Sequence, residues 1–111
     1  MLLFALPWLV ASTLALPAAC PASGTLRLEP ATAVPGDRVT LHATVDSPDE
    51  ACRALVRSEP FVIIRSPQGE RELSLQLQGE QFQGQLTLPP PPWSITLYVV
   101  GTGEPLATVA W

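Results

Sequence analysis

The plainest pattern in the chain is the alternation over residues 38–45 (RVTLHATV), where Val39, Leu41, Ala43 and Val45 are apolar and Thr40, His42 and Thr44 are polar. A period of two is the signature of a strand with one face buried. Residues 25–29 (TLRLE) alternate in the same way, and Pro35-Gly36-Asp37 supplies turn chemistry between the two segments. Further on, residues 61–65 (FVIIR) form an apolar, β-branched run. Ser66-Pro67-Gln68-Gly69 is a turn, and residues 72–78 set Leu73, Leu75 and Leu77 against Ser74, Gln76 and Gln78, which predicts a hairpin. Phe82, Gly84, Leu86 and Leu88 make one face of the next strand, with Gln83, Gln85 and Thr87 on the other. Trp93, Ile95, Leu97 and Val99 then alternate with Ser94, Thr96 and Tyr98, and Gly101-Thr102-Gly103-Glu104 turns the chain into a last strand over residues 106–111. Seven one-sided strands must bury their apolar faces against each other, so the pattern predicts an all-β, seven-stranded two-sheet sandwich.

One segment breaks the alternation. Ser47-Pro48-Asp49-Glu50 offers a capping serine, a proline at the first helical position and a glutamate three residues after the cap. Ala51, Cys52, Leu55 and Val56 follow on one helical face, Asp49 and Arg53 are spaced for an i, i+4 pair, and Pro60 ends the run. A short helix is predicted near residues 48–57. A strand over residues 53–57 is the alternative.

Ahead of this body lies an apolar segment without a charged side chain, MLLFALPWLVASTLALPAAC, so the chain divides into residues 1–19, a signal peptide or membrane anchor, and residues 20–111, a sandwich domain. The run from Leu2 to Ala11 has the length of a signal-peptide core, although no basic residue precedes it. Thr13-Leu14-Ala15 and Cys20-Pro21-Ala22 both place small residues where a signal peptidase reads them. Leu16-Pro17-Ala18-Ala19-Cys20 also resembles the bacterial lipobox, which makes Cys20 a candidate for lipidation. The third option is an uncleaved anchor, since residues 1–19 approach the ~20 apolar residues that span a bilayer.

Composition narrows the partners. The chain has 111 residues, ten acids against six basic residues and a net charge of −4. Such a balance offers nucleic acid or an anionic membrane no electrostatic footing. Cys20 and Cys52 permit one disulfide, which an oxidising compartment preserves. Acylation of Cys20, or cleavage beyond it, leaves Cys52 alone.

The entry Val34-Pro35-Gly36-Asp37-Arg38-Val39 and the close Gly84-Gln85-Leu86-Thr87-Leu88-Pro89, followed by Trp93-Ser94-Ile95-Thr96-Leu97, resemble bacterial immunoglobulin-like sandwich modules of the macroglobulin or FixH/YtkA-like type. The resemblance implies an immunoglobulin-like fold and life outside the cytoplasm. It names no ligand. Four prolines stand where those modules usually carry glycine before the aromatic, and the helix is an addition.

Chemistry-bearing residues are sparse. His42 is the lone histidine and alternates onto the polar face, where a copper or zinc site would need further ligands that the chain does not place beside it. Asp46, Asp49 and Glu50 cluster as calcium ligands do, but helix capping accounts for two of them. A Cys52–His42 dyad conflicts with Cys52 lying in the helix's apolar stripe. Pro89, Pro90, Pro91 and Pro92 predict polyproline II, either as a rigid connector or as a docked segment, and Trp111 is a terminal aromatic suited to a partner's pocket. The sequence therefore reads as a non-enzymatic, exported envelope protein, periplasmic or extracellular. It acts as a binding or structural accessory with a protein partner, and with membrane attachment through the N-terminal segment or lipid. Two alternatives stand beside it: a small accessory subunit of a membrane complex held by an uncleaved residue 1–19 helix, and a protease-inhibitor-like sandwich. No cofactor, metal or catalytic set is expected.

Overall fold

The period-two segments become strands, and their apolar sides become the inner faces of two sheets. The computed structural model describes residues 20–100 and 103–111, so residues 1–19, expected as a signal peptide or membrane anchor, lie outside the described residues. Among the described residues, eight strands and one helix follow in the order β1 (Ser23–Glu29), β2 (Arg38–Asp46), α1 (Glu50–Val56), β3 (Phe61–Ser66), β4 (Gly69–Ser74), β5 (Gln76–Gln78), β6 (Gln81–Thr87), β7 (Ser94–Tyr98) and β8 (Ala107–Ala110). One antiparallel sheet has the order β1-β2-β6-β5 and the other β4-β3-β7-β8. Val39, Leu41, Ala43, Phe82 and Leu86 from the first face Val62, Ile64, Ile95 and Leu97 from the second in a single buried cluster. Removing these side chains from water is the main stabilising term.

The strand expected over residues 72–78 is two strands, giving eight in place of seven. β3 pairs with β4 from Ser66↔Gly69 to Phe61↔Ser74, and the Leu75 N–H donates to the Pro60 carbonyl at 3.1 Å. The next residue, Gln76, pairs with Gln83 in the other sheet. The chain changes sheets at Leu75, whose side chain is buried between them. Gly84 lies beneath the crossing: a Cβ there would stand 2.8 Å from Leu75 Cδ2 and 3.1 Å from Leu73 Cδ2. Leu77, expected in the apolar set, is 55% exposed because β5 lies at the margin of its sheet.

Helix α1 is shorter than expected, and its cap lies two residues later. Pro48 and Asp49 are not helical; the Asp49 carboxylate accepts from the Ala51 N–H at 2.9 Å, while Ser47 Oγ accepts from the Asp49 N–H at 3.2 Å. With its carboxylate on the helix backbone, Asp49 does not pair with Arg53. Arg53 Nε instead donates to Asp46 Oδ1 at 3.0 Å and to the Ser47 carbonyl at 3.3 Å. Only Cys52 and Val56 of the expected stripe are buried, one helical turn apart; Ala51 and Leu55 face solvent. A two-turn helix has one narrow line of contact with a sandwich.

Cross-strand pairs finish the outer faces. Thr25 and Thr44 hydroxyls lie 2.6 Å apart on the first sheet, and Arg65 donates to Glu70 at 3.1 Å on the second. The Arg65 guanidinium is pushed further above its ordinary range, first by the Tyr98 hydroxyl and then by Glu70. Phe61 and Tyr98 stack beside it with ring centroids 5.7 Å apart.

Two glycines separate steric from conformational need. At Gly24 a Cβ would stand 2.6 Å from the Thr44 carbonyl oxygen, a backbone atom unable to swing aside, and 3.0 Å from Leu97 Cδ2. Gly36 meets nothing within 4 Å, yet its φ is +94°. Gly24→Ala is expected to lower unfolding free energy in urea by roughly 1–3 kcal/mol through overpacking, and Gly36→Ala by roughly 1–2 kcal/mol through backbone strain alone. A Gly24→Ala protein as stable as its parent would show that β1 is not held this tightly against β2.

Candidate protein-contact surface at the proline-rich end

Four pieces of chain meet at the end of the sandwich where β2 begins and where β3, β6 and β8 finish. The first is the turn at residues 34–37. Pro35 and Gly36 occupy its central positions and the Asp37 N–H donates to the Val34 carbonyl at 3.0 Å, a type II arrangement that uses proline's fixed φ and glycine's positive one. Asp37 Oδ2 accepts from the Val34 N–H at 3.0 Å. The turn is tied to the end of β6 by Gly36 N–H to Leu88 C=O at 2.8 Å and Leu88 N–H to Asp37 C=O at 2.9 Å.

The second piece is the β3–β4 turn, where Ser66 Oγ accepts from the Gln68 N–H at 3.1 Å and Gly69 has φ +114°. The third is the four-proline run. Polyproline II is not what it adopts: the chain bends at Pro90, Pro91 and Pro92, and the Pro91–Pro92 peptide bond is cis. The run joins β6 in one sheet to β7 in the other, and inner faces ~10 Å apart require a crossing rather than a straight rod. Pro89 is buried; Pro90, Pro91 and Pro92 are exposed. The fourth piece is Trp111, whose N–H donates to the Trp93 carbonyl at 3.0 Å while its residue remains 59% exposed.

The structure thus brings the sequence candidates Pro89, Pro90, Pro91, Pro92 and Trp111 to one end of the molecule. Two hollows open there. One, of about 510 Å³, lies between β3, β4 and the end of β6, with Ile64, Arg71, Leu88 and Pro89 among its walls. The other, of about 430 Å³, is formed by Arg65, Pro67, Pro92 and Trp93. Arg71 was not a candidate from the sequence, although its parity with Leu73 already set it on the inner side of its strand.

Elsewhere the candidate side chains are engaged by neighbouring groups, although His42 Nδ1 is buried without a partner among the described residues. His42 faces outward, but its side chain is only 11% exposed, and Nε2 lies 2.6 Å from Glu29 Oε1. Its cross-strand neighbours are Arg27 and Gln83. Asp46 and Asp49 hold Arg53 and the helix backbone, and among the described residues no group of three or more His, Cys, Asp or Glu side chains is placed to hold a metal ion. Cys20 and Cys52 are joined, with Cα atoms 5.6 Å apart, linking the segment before β1 to α1. One sulfur cannot serve both this bond and a lipid, so acylation of Cys20 would leave Cys52 as a thiol on the helix. Among the described residues, no helix is long and apolar enough to cross a membrane.

In comparisons with known proteins, no family model matches this chain and no curated protein resembles it significantly.

The bond closes a loop with a sequence separation of 32 residues. Its reduction, or Cys52→Ser, is expected to lower stability by ~3–4 kcal/mol in the chain-entropy account, with α1 exchanging its amide hydrogens fastest. Urea unfolding with and without reductant measures the first effect; unchanged stability would mean that the denatured chain gains nothing on reduction.

Proposed function

We propose that this chain is an exported, non-catalytic binding or structural accessory domain of the immunoglobulin-like class, with a protein partner in the cell envelope docking at the proline-rich end. The sheet orders β1-β2-β6-β5 and β4-β3-β7-β8 correspond to A-B-E-D and C′-C-F-G, the constant-type arrangement with one C′ strand added. This order supports the immunoglobulin-like reading and agrees with the sequence resemblance to macroglobulin-type or FixH/YtkA-like modules. The uncharged segment at residues 1–19 and the Cys20–Cys52 bond support export, since such bonds persist in oxidising compartments.

The observation that carries the reading is the exposure of Trp111 beside the exposed prolines of the β6–β7 connector. Tryptophan is enriched among residues that dominate interface energetics, and prolines lose little conformational freedom on docking.

Site-specific crosslinking checks the proposal. A photoreactive phenylalanine analogue at Trp111, in the full chain expressed with its leader, is expected to give one discrete adduct in envelope fractions; the same analogue at Arg57, at the other end, gives none. Equal labelling from both ends, or from neither, overturns the assignment. An intact mass lacking the leader and lighter by two hydrogens than the reduced form is expected for the exported protein. A mass carrying acyl chains would instead place the lipid on Cys20.

A further inference from the structure

Strand β6 spans Gln81–Thr87, but its neighbour β5 covers only Gln81, Phe82 and Gln83. The second half of β6 therefore has a sheet partner on one side alone. Backbone groups in a strand point alternately to its two sides. Leu88 exchanges its N–H and C=O with residues 36 and 37 on the β2 side. By alternation, those of Gln85 and Thr87 point the other way, into the space where β5 has ended. Gln85 and Thr87 are exposed, and an accessible row of unpaired strand N–H and C=O groups is a ready template for another strand.

Beneath the edge lies the 510 Å³ hollow. Its floor includes Ile64 and Leu88, both buried, and its margin includes Gly69, Thr87 and Arg71. Arg71 is opposite Ile64 in the β3–β4 register and shares its inner-facing parity. Among the described residues it is the only charged one lining the hollow, and it forms no ion pair. A cation on the inner side of an edge strand also discourages edge-to-edge aggregation. That role needs no hollow beside it and no open strand edge across from it.

We propose that this cleft binds an extended peptide carrying a carboxylate side chain, which continues the line of β5 and pairs with Gln85 and Thr87. The peptide's inward side chains enter the hollow over Ile64 and Leu88, and its carboxylate meets Arg71. Main-chain bonds supply affinity and the alternate side chains supply selectivity, the usual division of labour in strand addition. The inference rests on the partner-binding reading for its biological setting and identifies the part of a partner that this end receives.

The test uses the full chain, isotopically labelled, titrated with the probe acetyl-Thr-Val-Glu-Val-Thr-amide and with the same peptide carrying Gln for Glu. The acidic probe is expected to slow amide exchange at Gln85 and Thr87 and to shift the resonances of Gly69 and Arg71. The Gln probe, or Arg71→Gln, weakens binding about tenfold, the worth of one charge-assisted hydrogen bond. Arg71 is exposed and unpaired among the described residues, so Arg71→Gln retains the parent spectrum. Thr87→Pro removes an N–H directed away from β2 and sets the proline ring in the path of an added strand, so it abolishes protection at Gln85; retention of the parent β2–β6 amide protection shows that the sheet itself is kept. Unprotected Gln85 and Thr87 amides at saturating probe, or equal affinity for both probes, overturn the proposal. If the probe fails while Trp111 crosslinking persists, this inference falls and the docking end stands; if both fail, both readings fall.

Discussion

Two sheets that are apolar on one side only must close on each other, and every other feature depends on how that closure is sealed. The inner side chains of β2, β6, β3 and β7 form its centre. At one margin β1 and β8 come together, and Gly24 lets β1 approach until there is no room for a Cβ. At the other margin Leu75 carries the chain from one sheet to the other and fills the gap with its own side chain. At Gly24 and Gly84 an added methyl group meets its neighbours at under 3 Å, so it is destabilising there.

The crossing at Leu75 has a structural consequence beyond the core. A strand that changes sheets is split between two ladders, and its second part is too short to cover the strand it joins. β4 covers β3, but the short β5 leaves half of β6 open. The hollow, the free edge and the inward-facing Arg71 are the geometric remainder of that exchange. The same end gathers the type II turn and Trp111, anchored by backbone hydrogen bonds to Leu88 and Trp93 beside the ends of β6 and β7, and the proline connector that joins those two strands. A surface built on anchored loops presents its side chains in a fixed arrangement, which lowers the entropic cost of docking.

The opposite end is organised by charge and by covalent linkage. Asp46, Ser47, Asp49 and Arg53 bind one another and the first turn of α1, while Cys52 joins the helix to the segment before β1. A helix of two turns has too little intrinsic stability to persist alone. Here its cap, its bridge to Cys20 and the burial of Val56 hold it, and the carboxylates that read as candidate metal ligands serve that purpose.

Strand identity was legible wherever alternation was clean, because a residue's parity is a local property: Val39, Leu41, Phe82, Leu86, Ile95 and Leu97 turn inward as their neighbours require. The helix was legible as an element, but its cap was not, since Ser47 and Asp49 are both capping types: Asp49 accepts from the Ala51 N–H, and Ser47 Oγ accepts from the Asp49 N–H ahead of the helix. The proline connector was visible as a rigid piece, but not its bend, which is imposed by the distance between β6 and β7. Leu75 and Leu77 share one parity in the sequence and meet different fates, because a change of sheet leaves no mark on alternation. Composition and pattern alone determined that this chain forms one-sided strands around an apolar core, with its aromatics and prolines near strand ends. Tertiary structure decided which sheet each strand joins and which edge stays open, since pairing across tens of residues is set by how whole faces fit, not by any one residue's neighbours.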